Sequence, residues 1–287
     1  MHKKYKTVRG QELARKIIIY FALGFWAILV VFPFYWMVIT SLKTLASYSG
    51  EMIPKFLPIP PTLINYYTAF ADTDASLGLS LINTIFFSIV TTILMLIVII
   101  LAAFAFARLR FRGSNIIFII FLSMMMIPSE LVIVTNYTTI VNLNFRNTFI
   151  GLILPSTMSI FYLYWLRQTF MMVPDELYLA AKVDGTSDFK YLVKVLIPLA
   201  RPTLVSITLL KFIECWNSFV WPRLITSEKD KYLVSQAIQI IRQNGFGRDN
   251  IPAMMAAVVI ISLPILIIFI IFRKQIMSGV AREGTKG

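Results

Sequence analysis

Residues 17–42 contain no charged side chain, and neither do residues 75–107, 147–166 and 250–272. Each run reaches the roughly 20 apolar residues that a helix needs to cross the bilayer core. Residues 113–129 are also uncharged and slightly shorter, and 131–134 extend them past Glu130. A sixth stretch, 202–222, is weaker because it holds Lys211 and Glu214. An open sheet cannot satisfy its backbone in lipid, and the runs are too long and uniform for barrel strands. The expectation is an all-α membrane protein with six transmembrane helices over residues 17–272.

Composition agrees. Apolar residues make up 58% of the 287 and charged residues 14%, against about 25% charged in soluble domains. A single cysteine, Cys215, and a single histidine, His2, exclude a disulfide framework and a His/Cys metal site. No metal ligand set and no catalytic constellation stands out.

The 27 Lys and Arg outweigh the 14 Asp and Glu, for a net charge of +13. Their placement explains the excess. Lys and Arg on the side holding both termini outnumber those on the other side by about two to one, which places both termini in the cytoplasm. Residues 1–16 are then a cytoplasmic N-terminus and 273–287 a cytoplasmic tail. Basic residues do not interleave with stacking aromatics, so the expected contact is the lipid bilayer and not nucleic acid. The first apolar run exceeds the 7–15 residues of a signal-peptide core, and it reads as a retained anchor kinked at Pro33.

Between the fourth and fifth runs, residues 171–200 read as two short helices. Pro174 suits a first turn, and Asp175 and Glu176 complement the positive end of a helix dipole. Gly185 suits the position just past a helix end. Leu177, Ala180, Ala181 and Asp184 share a face at helical spacing. Thr186 or Ser187 can cap a second helix from Asp188 to Leu196, which Ile197-Pro198 ends. A headgroup-lying loop and a knob that docks into a partner both fit this pattern.

Ala180-Ala181, Asp184-Gly185, Ile197-Pro198 and Pro202 match, in order and spacing, the cytoplasmic signature of the permease subunits of bacterial binding-protein-dependent ABC importers. The family's signature glutamate is replaced by Leu179, with Glu176 one turn earlier. Flanking similarity at Pro128, 147–155, Arg167-Gln168, Trp216-Asn217, Trp221-Pro222 and the 279–287 tail resembles the carbohydrate-uptake, maltose-permease-like group. The resemblance implies that 171–200 holds a coupling helix for a separate ATPase. Glu176, Leu177, Ala180, Ala181, Asp184, Gly185 and Pro198 are then the coupling residues. It further implies a second permease subunit, two ATPase subunits carrying ATP and Mg, and an extracytoplasmic solute-binding protein. No cofactor is expected on this chain, whose Gly279-x4-Gly284-Thr285-Lys286 string reverses the order that a P-loop requires.

Lys211 and Glu214 lie inside a span and three residues apart, so they can pair on one face. With Asn217, Ser218 and Glu130 they are candidates for the translocation path; a structural pair is the competing reading. Trp216 and Trp221 fit interface anchors better than sugar-stacking faces. Two other functions bear weighing. An ion-gradient-driven transporter normally shows inverted repeats and midplane carboxylates, and only Glu214 qualifies. An importer for a non-sugar solute such as glycerol phosphate shares the same signature.

Overall fold

A computed structural model describes residues 2–71, 74–243 and 249–283. Residues 244–248, which include Gly245-Phe246-Gly247, and 284–287, which include Gly284-Thr285-Lys286, lie outside the described residues. All regular structure among the described residues is helical. The chain divides into two compact units, residues 1–72 with 241–260, and residues 73–240 with 261–287.

In the first unit, helix α1 (His2–Ser41) runs through Pro33. Its apolar stretch Arg15–Ser41 is long enough to cross a membrane, and its most apolar window has 0% of its residues buried within this chain. Two short helices follow, α2 (Leu45–Ser49) and α3 (Ile64–Ala71). The last carbonyls of a helix lack partners inside it. Here the Asn65 amide supplies them, donating to Ser41 O at 2.8 Å and Lys43 O at 2.6 Å. Lys43 is only 1% exposed. Its ammonium bonds Glu51 Oε2 and Lys55 O, each at 2.7 Å. A residue that reads as a loop charge is therefore the centre of a buried polar knot.

The second unit is built around α4 (Leu77–Arg108), which packs on α8 (Ile160–Met171) and α11 (Arg201–Trp216). Met95, Ile99, Leu163, Leu166, Phe170, Leu196 and Ile207 form one buried cluster between them. A second cluster joins Phe87, Ile140, Leu152 of α7 (Phe149–Ile153), Ile225 of α12 (Val220–Ile225) and Leu233. Small residues on α4, among them Ser80, Thr84, Ser88 and Ala103, are fully buried and admit its neighbours closely.

Among the described residues three helices are long and apolar enough to cross a membrane, Arg15–Ser41, Leu77–Arg108 and Ile251–Arg273, the last within α14 (Ile251–Glu283). Two bent pairs bring the number to five, Phe149–Ser156 with Ile160–Met171 at 46°, and Asp188–Leu199 with Arg201–Trp216 at 80°. The expected run over 113–134 is broken into α5 (Ser114–Met124) and α6 (Ser129–Asn142). Pro128 supplies no N–H and keeps Ile127 out of the helical region, which ends the ladder there.

Two boundaries differ from the sequence reading. The apolar run ends at 134, yet α6 continues through the polar residues after it to Asn142. The hydroxyls of Thr138 and Thr139 fold back onto Thr135 O at 2.9 and 2.8 Å, which satisfies them within the helix. Ile197-Pro198 does not end the second loop helix. α10 (Asp188–Leu199) passes through it, widening to an i+5 ladder over Leu192–Leu196, and the sharp bend falls at Ala200. Pro202 cannot donate back to the carbonyl of Pro198, and this missing bond frees the bend.

Candidate functional site

The 171–200 segment forms α9 (Asp175–Val183) followed by α10. Pro174 sits just outside the helix as its cap, with extended ψ of 139°, and Asp175 and Glu176 fill the first turn. At the other end Gly185 takes φ of +71°. The Thr186 N–H donates to Ala181 O at 2.9 Å and the Gly185 N–H to Lys182 O at 3.0 Å. This is the pairing of a left-handed helix stop, and it closes the orphan carbonyls. Ser187 Oγ then accepts from the Lys190 N–H at 3.4 Å and opens α10.

α9 has two faces. Tyr178 and Ala181 pack on the main buried cluster. Glu176, Leu177, Leu179, Ala180, Val183 and Asp184 are exposed, Val183 at 88%. The structure thus separates Ala181 from Leu177, Ala180 and Asp184, which the sequence grouped on one face. Pro198 is exposed one helix later.

Side-chain bonds fix the angle between α9 and α10. The Tyr178 hydroxyl donates to Asp188 Oδ1 at 2.7 Å, and Lys182 Nζ reaches the same oxygen at 2.7 Å. The Tyr178 and Tyr191 rings lie 5.0 Å apart. Burial, reinforced by Asp188, raises the Tyr178 phenol above its ordinary value. The Asp188 hydrogen bond likewise raises the Lys182 ammonium.

Arg108, which directly follows the uncharged run 75–107, is the last residue of α4 and is 8% exposed. Its Nη2 donates to Phe170 O at 2.7 Å and Val173 O at 2.5 Å, and its Nη1 pairs with Asp175. One guanidinium thus ties the end of α4 to the end of α8 and the start of α9. Charge-assisted bonds from a planar fork suit such a junction. Arg167 reinforces it from α8, donating to Phe106 O at 3.1 Å with its guanidinium 4.1 Å from the Phe118 ring centre. A cavity of about 400 Å³ opens beside the junction, lined by Arg108, Arg110, Asp175, Tyr178 and Leu179. The only sequence signal for Arg108 was an arginine directly following a long apolar run.

The polar residues of the fifth run form a separate group. Lys211 Nζ lies 2.8 Å from Glu214 Oε1. The lysine side chain is 4% exposed and the carboxylate 58%. Tyr162 of α8, which the sequence did not single out, donates to Glu214 Oε2 at 3.4 Å. Asn217 is exposed at the end of α11, and Ser218 O accepts from Ser235 Oγ at 2.6 Å. Glu130 lies in the first turn of α6, away in sequence from this group. Trp216 is buried against Phe212 at 5.8 Å. Trp221 donates to Leu152 O at 3.3 Å. Both indoles therefore serve packing.

Residues 98–282 match the family described as binding-protein-dependent transport system inner membrane component. The diacetylchitobiose uptake system permease protein NgcG of Streptomyces coelicolor is 28% identical over 264 residues, 91% of this chain and 85% of that protein. The trehalose/maltose transport system permease protein MalG of Thermococcus litoralis is 29% identical over 285 residues, 96% of this chain and 99% of that protein. A chain in the crystal structure of a bacterial ABC transporter that imports the acidic polysaccharide alginate superposes with a TM-score of 0.81 at 23% identity, covering 90% of this chain and 95% of that one, a likeness of fold. The chain belongs to the family of binding-protein-dependent transport system inner membrane components.

Proposed function

We propose that this family member is the membrane subunit of an ATP-driven carbohydrate importer, forming half of the translocation path. The observation that carries the reading is α9, a helix with Leu177, Leu179, Ala180 and Val183 exposed, tied at its start to the ends of α4 and α8 by Arg108 and to α10 by Tyr178. A partner that moves this helix moves the unit behind it. The relatives named above belong to a diacetylchitobiose uptake system and a trehalose/maltose transport system, which supports the substrate class. The chain itself hydrolyses nothing. ATP and Mg belong to two separate ATPase subunits, with Leu177, Leu179, Ala180, Val183 and Asp184 against their surface.

In this reading the chain crosses the membrane six times within residues 17–272, α5 and α6 together making the third crossing. Both termini, 1–16 and 273–287, and the 171–200 segment face the cytoplasm. A second, different permease subunit completes the channel, and an extracytoplasmic binding protein delivers the solute. The exposed Glu214 carboxylate with Asn217 and Ser218 offers hydrogen-bond acceptors and donors to sugar hydroxyls. Lys211 and Tyr162 hold that carboxylate in place, and Glu130 stands at the outer mouth.

The test is reconstitution. The chain is co-expressed with the neighbouring ATPase, permease and binding-protein genes and placed in proteoliposomes. ATP-dependent uptake of a labelled oligosaccharide supports the reading, and replacing Asp184 with Arg abolishes uptake. Failure of any ATPase to co-purify with the chain, or full uptake by the Asp184→Arg variant, rejects it.

A further inference from the structure

The same helix that Arg108 pins to α9 is pinned a second time near its other end. Asn83 is 6% exposed and Thr84 is fully buried. The Asn83 amide donates to Asp230 O at 2.8 Å and Tyr232 O at 3.1 Å. Thr84 Oγ1 accepts from the Val234 N–H at 2.9 Å, at the start of α13 (Val234–Gln243). The segment they hold is itself braced. Asn147 Oδ1 accepts from the N–H groups of Ser227 and Glu228 at 3.1 and 3.3 Å, and Lys229 pairs with Asp74.

Twenty-five residues separate Asn83 from Arg108, about 38 Å at 1.5 Å per residue. α4 is an uninterrupted helix long and apolar enough to cross a membrane, so its two ties lie at opposite membrane faces. Both ties are buried hydrogen bonds to main chain, which do not slip as surface ion pairs do. An unbroken helix held by buried bonds at both ends absorbs little of a displacement applied at one of them. It hands the displacement on.

We infer that α4 is a transmission rod: Arg108 couples its inner end to α9, and Asn83 and Thr84 couple its outer end to residues 230–234. Displacement of α9 therefore reaches the far face of the membrane through this one helix. The inference rests on the reading of α9 as the ATPase contact. Arg108, Asn83 and Thr84 are positioning residues in it and touch neither nucleotide nor solute. Rigid elements with defined ends are what carry such a change between distant sites.

The experiment uses the assembled transporter. Cys215, the only cysteine of the chain, is buried. Exposed Ser227 is replaced by cysteine, with cysteines of the partner subunits removed, and carries an environment-sensitive fluorophore. Adding a non-hydrolysable ATP analogue with Mg to the otherwise unsubstituted complex shifts its emission. Arg108→Gln and Asn83→Leu each reduce that shift at least fivefold, and Arg108→Lys restores part of it because an ammonium still reaches two carbonyls. The readout separates relay from stability, since Asn83→Leu leaves α9 and its ATPase contact untouched. Should Arg108→Gln fail to assemble, the Asn83→Leu complex decides alone. A shift within twofold of the unsubstituted value in the assembled variants overturns the rod. An otherwise unsubstituted complex that assembles with its ATPase but shows no nucleotide response at position 227 also overturns it. An absence of any ATPase in the complex overturns the reading beneath it.

Discussion

The Tyr178 hydroxyl and the Asp188 carboxylate meet at 2.7 Å across the glycine that separates α9 from α10. Together with Lys182 on the same oxygen, this contact makes two short helices behave as one bracket. Asp188→Ala removes both bonds, whereas Tyr178→Phe removes one and keeps the ring on Tyr191. Measured as ATP hydrolysed per solute imported, Asp188→Ala is expected to raise the ratio several-fold and Tyr178→Phe less than twofold. The pH dependence follows from raised values at Tyr178 and Lys182. Groups raised on folding contribute fully below their ordinary values of 10.0 and 10.5 and lose that contribution as pH rises through the folded values. The ratio is therefore flat through neutral pH and climbs in strong alkali, and again in acid, where Asp188, held below its ordinary value by Lys182 and Tyr178, takes up its proton.

Gly185 stands at φ of +71° with open space where a Cβ would point. Substitution there is strained by backbone conformation alone. Alanine costs about 1–2 kcal/mol in the left-handed region, while asparagine tolerates it better. Gly185→Ala is expected to reduce transport clearly and Gly185→Asn to recover most of it, as read by uptake in proteoliposomes. Equal uptake by both variants contradicts the account of the helix stop.

How much of this was legible in the sequence depends on how local each signal is. Pro174, the Asp175-Glu176 pair, Gly185 and Ser187 act within one turn of chain, and they delimit α9 and open α10 almost to the residue. The apolar runs announced α1, α4 and α14 for the same reason. What the pattern hid was long-range or disguised. Arg108 finds its partners more than 60 residues away, at Phe170, Val173 and Asp175. Tyr162 and Tyr178 count as apolar in any periodicity yet act through their hydroxyls. Lys43 reads as a solvated loop charge and is buried because Glu51 and Lys55 O neutralise and bond it. The break in 113–134 carried a visible cause, Pro128, which run length alone overrode.

Gly151 is a packing requirement of a different kind. A Cβ built there lies 2.2 Å from Phe145 O, closer than any real side chain allows. The obstacle is main chain, so it cannot rotate aside. Gly151→Ala is expected to cost about 1–3 kcal/mol through backbone shift. Thermal unfolding in detergent checks this, and an unchanged midpoint contradicts it. The Thr148 cap, whose hydroxyl accepts from the Gly151 N–H at 3.1 Å, strains with it.

The knot at the end of α1 carries its own pH signature. Lys43, first by its hydrogen bond, holds the Glu51 carboxyl below its ordinary value of 4.5. A carboxylate lowered on folding contributes stability above the ordinary value and loses it as pH falls through the folded one. Acid below pH 4.5 should therefore loosen the Lys43–Glu51 contact, whereas Glu51→Gln is insensitive over that window. Protease susceptibility of the 43–62 segment, compared between the two proteins from pH 6 to pH 3, reads the difference. The same acid-dependent rise in both proteins rejects the assignment.

Lys211 and Glu214 form an unequal pair, and the inequality predicts which partner the fold needs. The ammonium is 4% exposed and the carboxylate 58%. Glu214→Ala leaves a buried cation without its counter-charge, a loss of about 1–3 kcal/mol once the exposure of the carboxylate is discounted. Lys211→Met replaces the cation with an apolar chain of similar length and leaves a carboxylate that remains accessible and still accepts from Tyr162. The expected order of unfolding midpoints is Lys211→Met above Glu214→Ala. Function should sort the other way if the carboxylate faces the path. Glu214→Gln keeps the shape and most of the stability yet raises the apparent KM for solute, while Lys211→Met changes uptake less. Identical stability and identical KM for all three variants contradict both halves of this assignment.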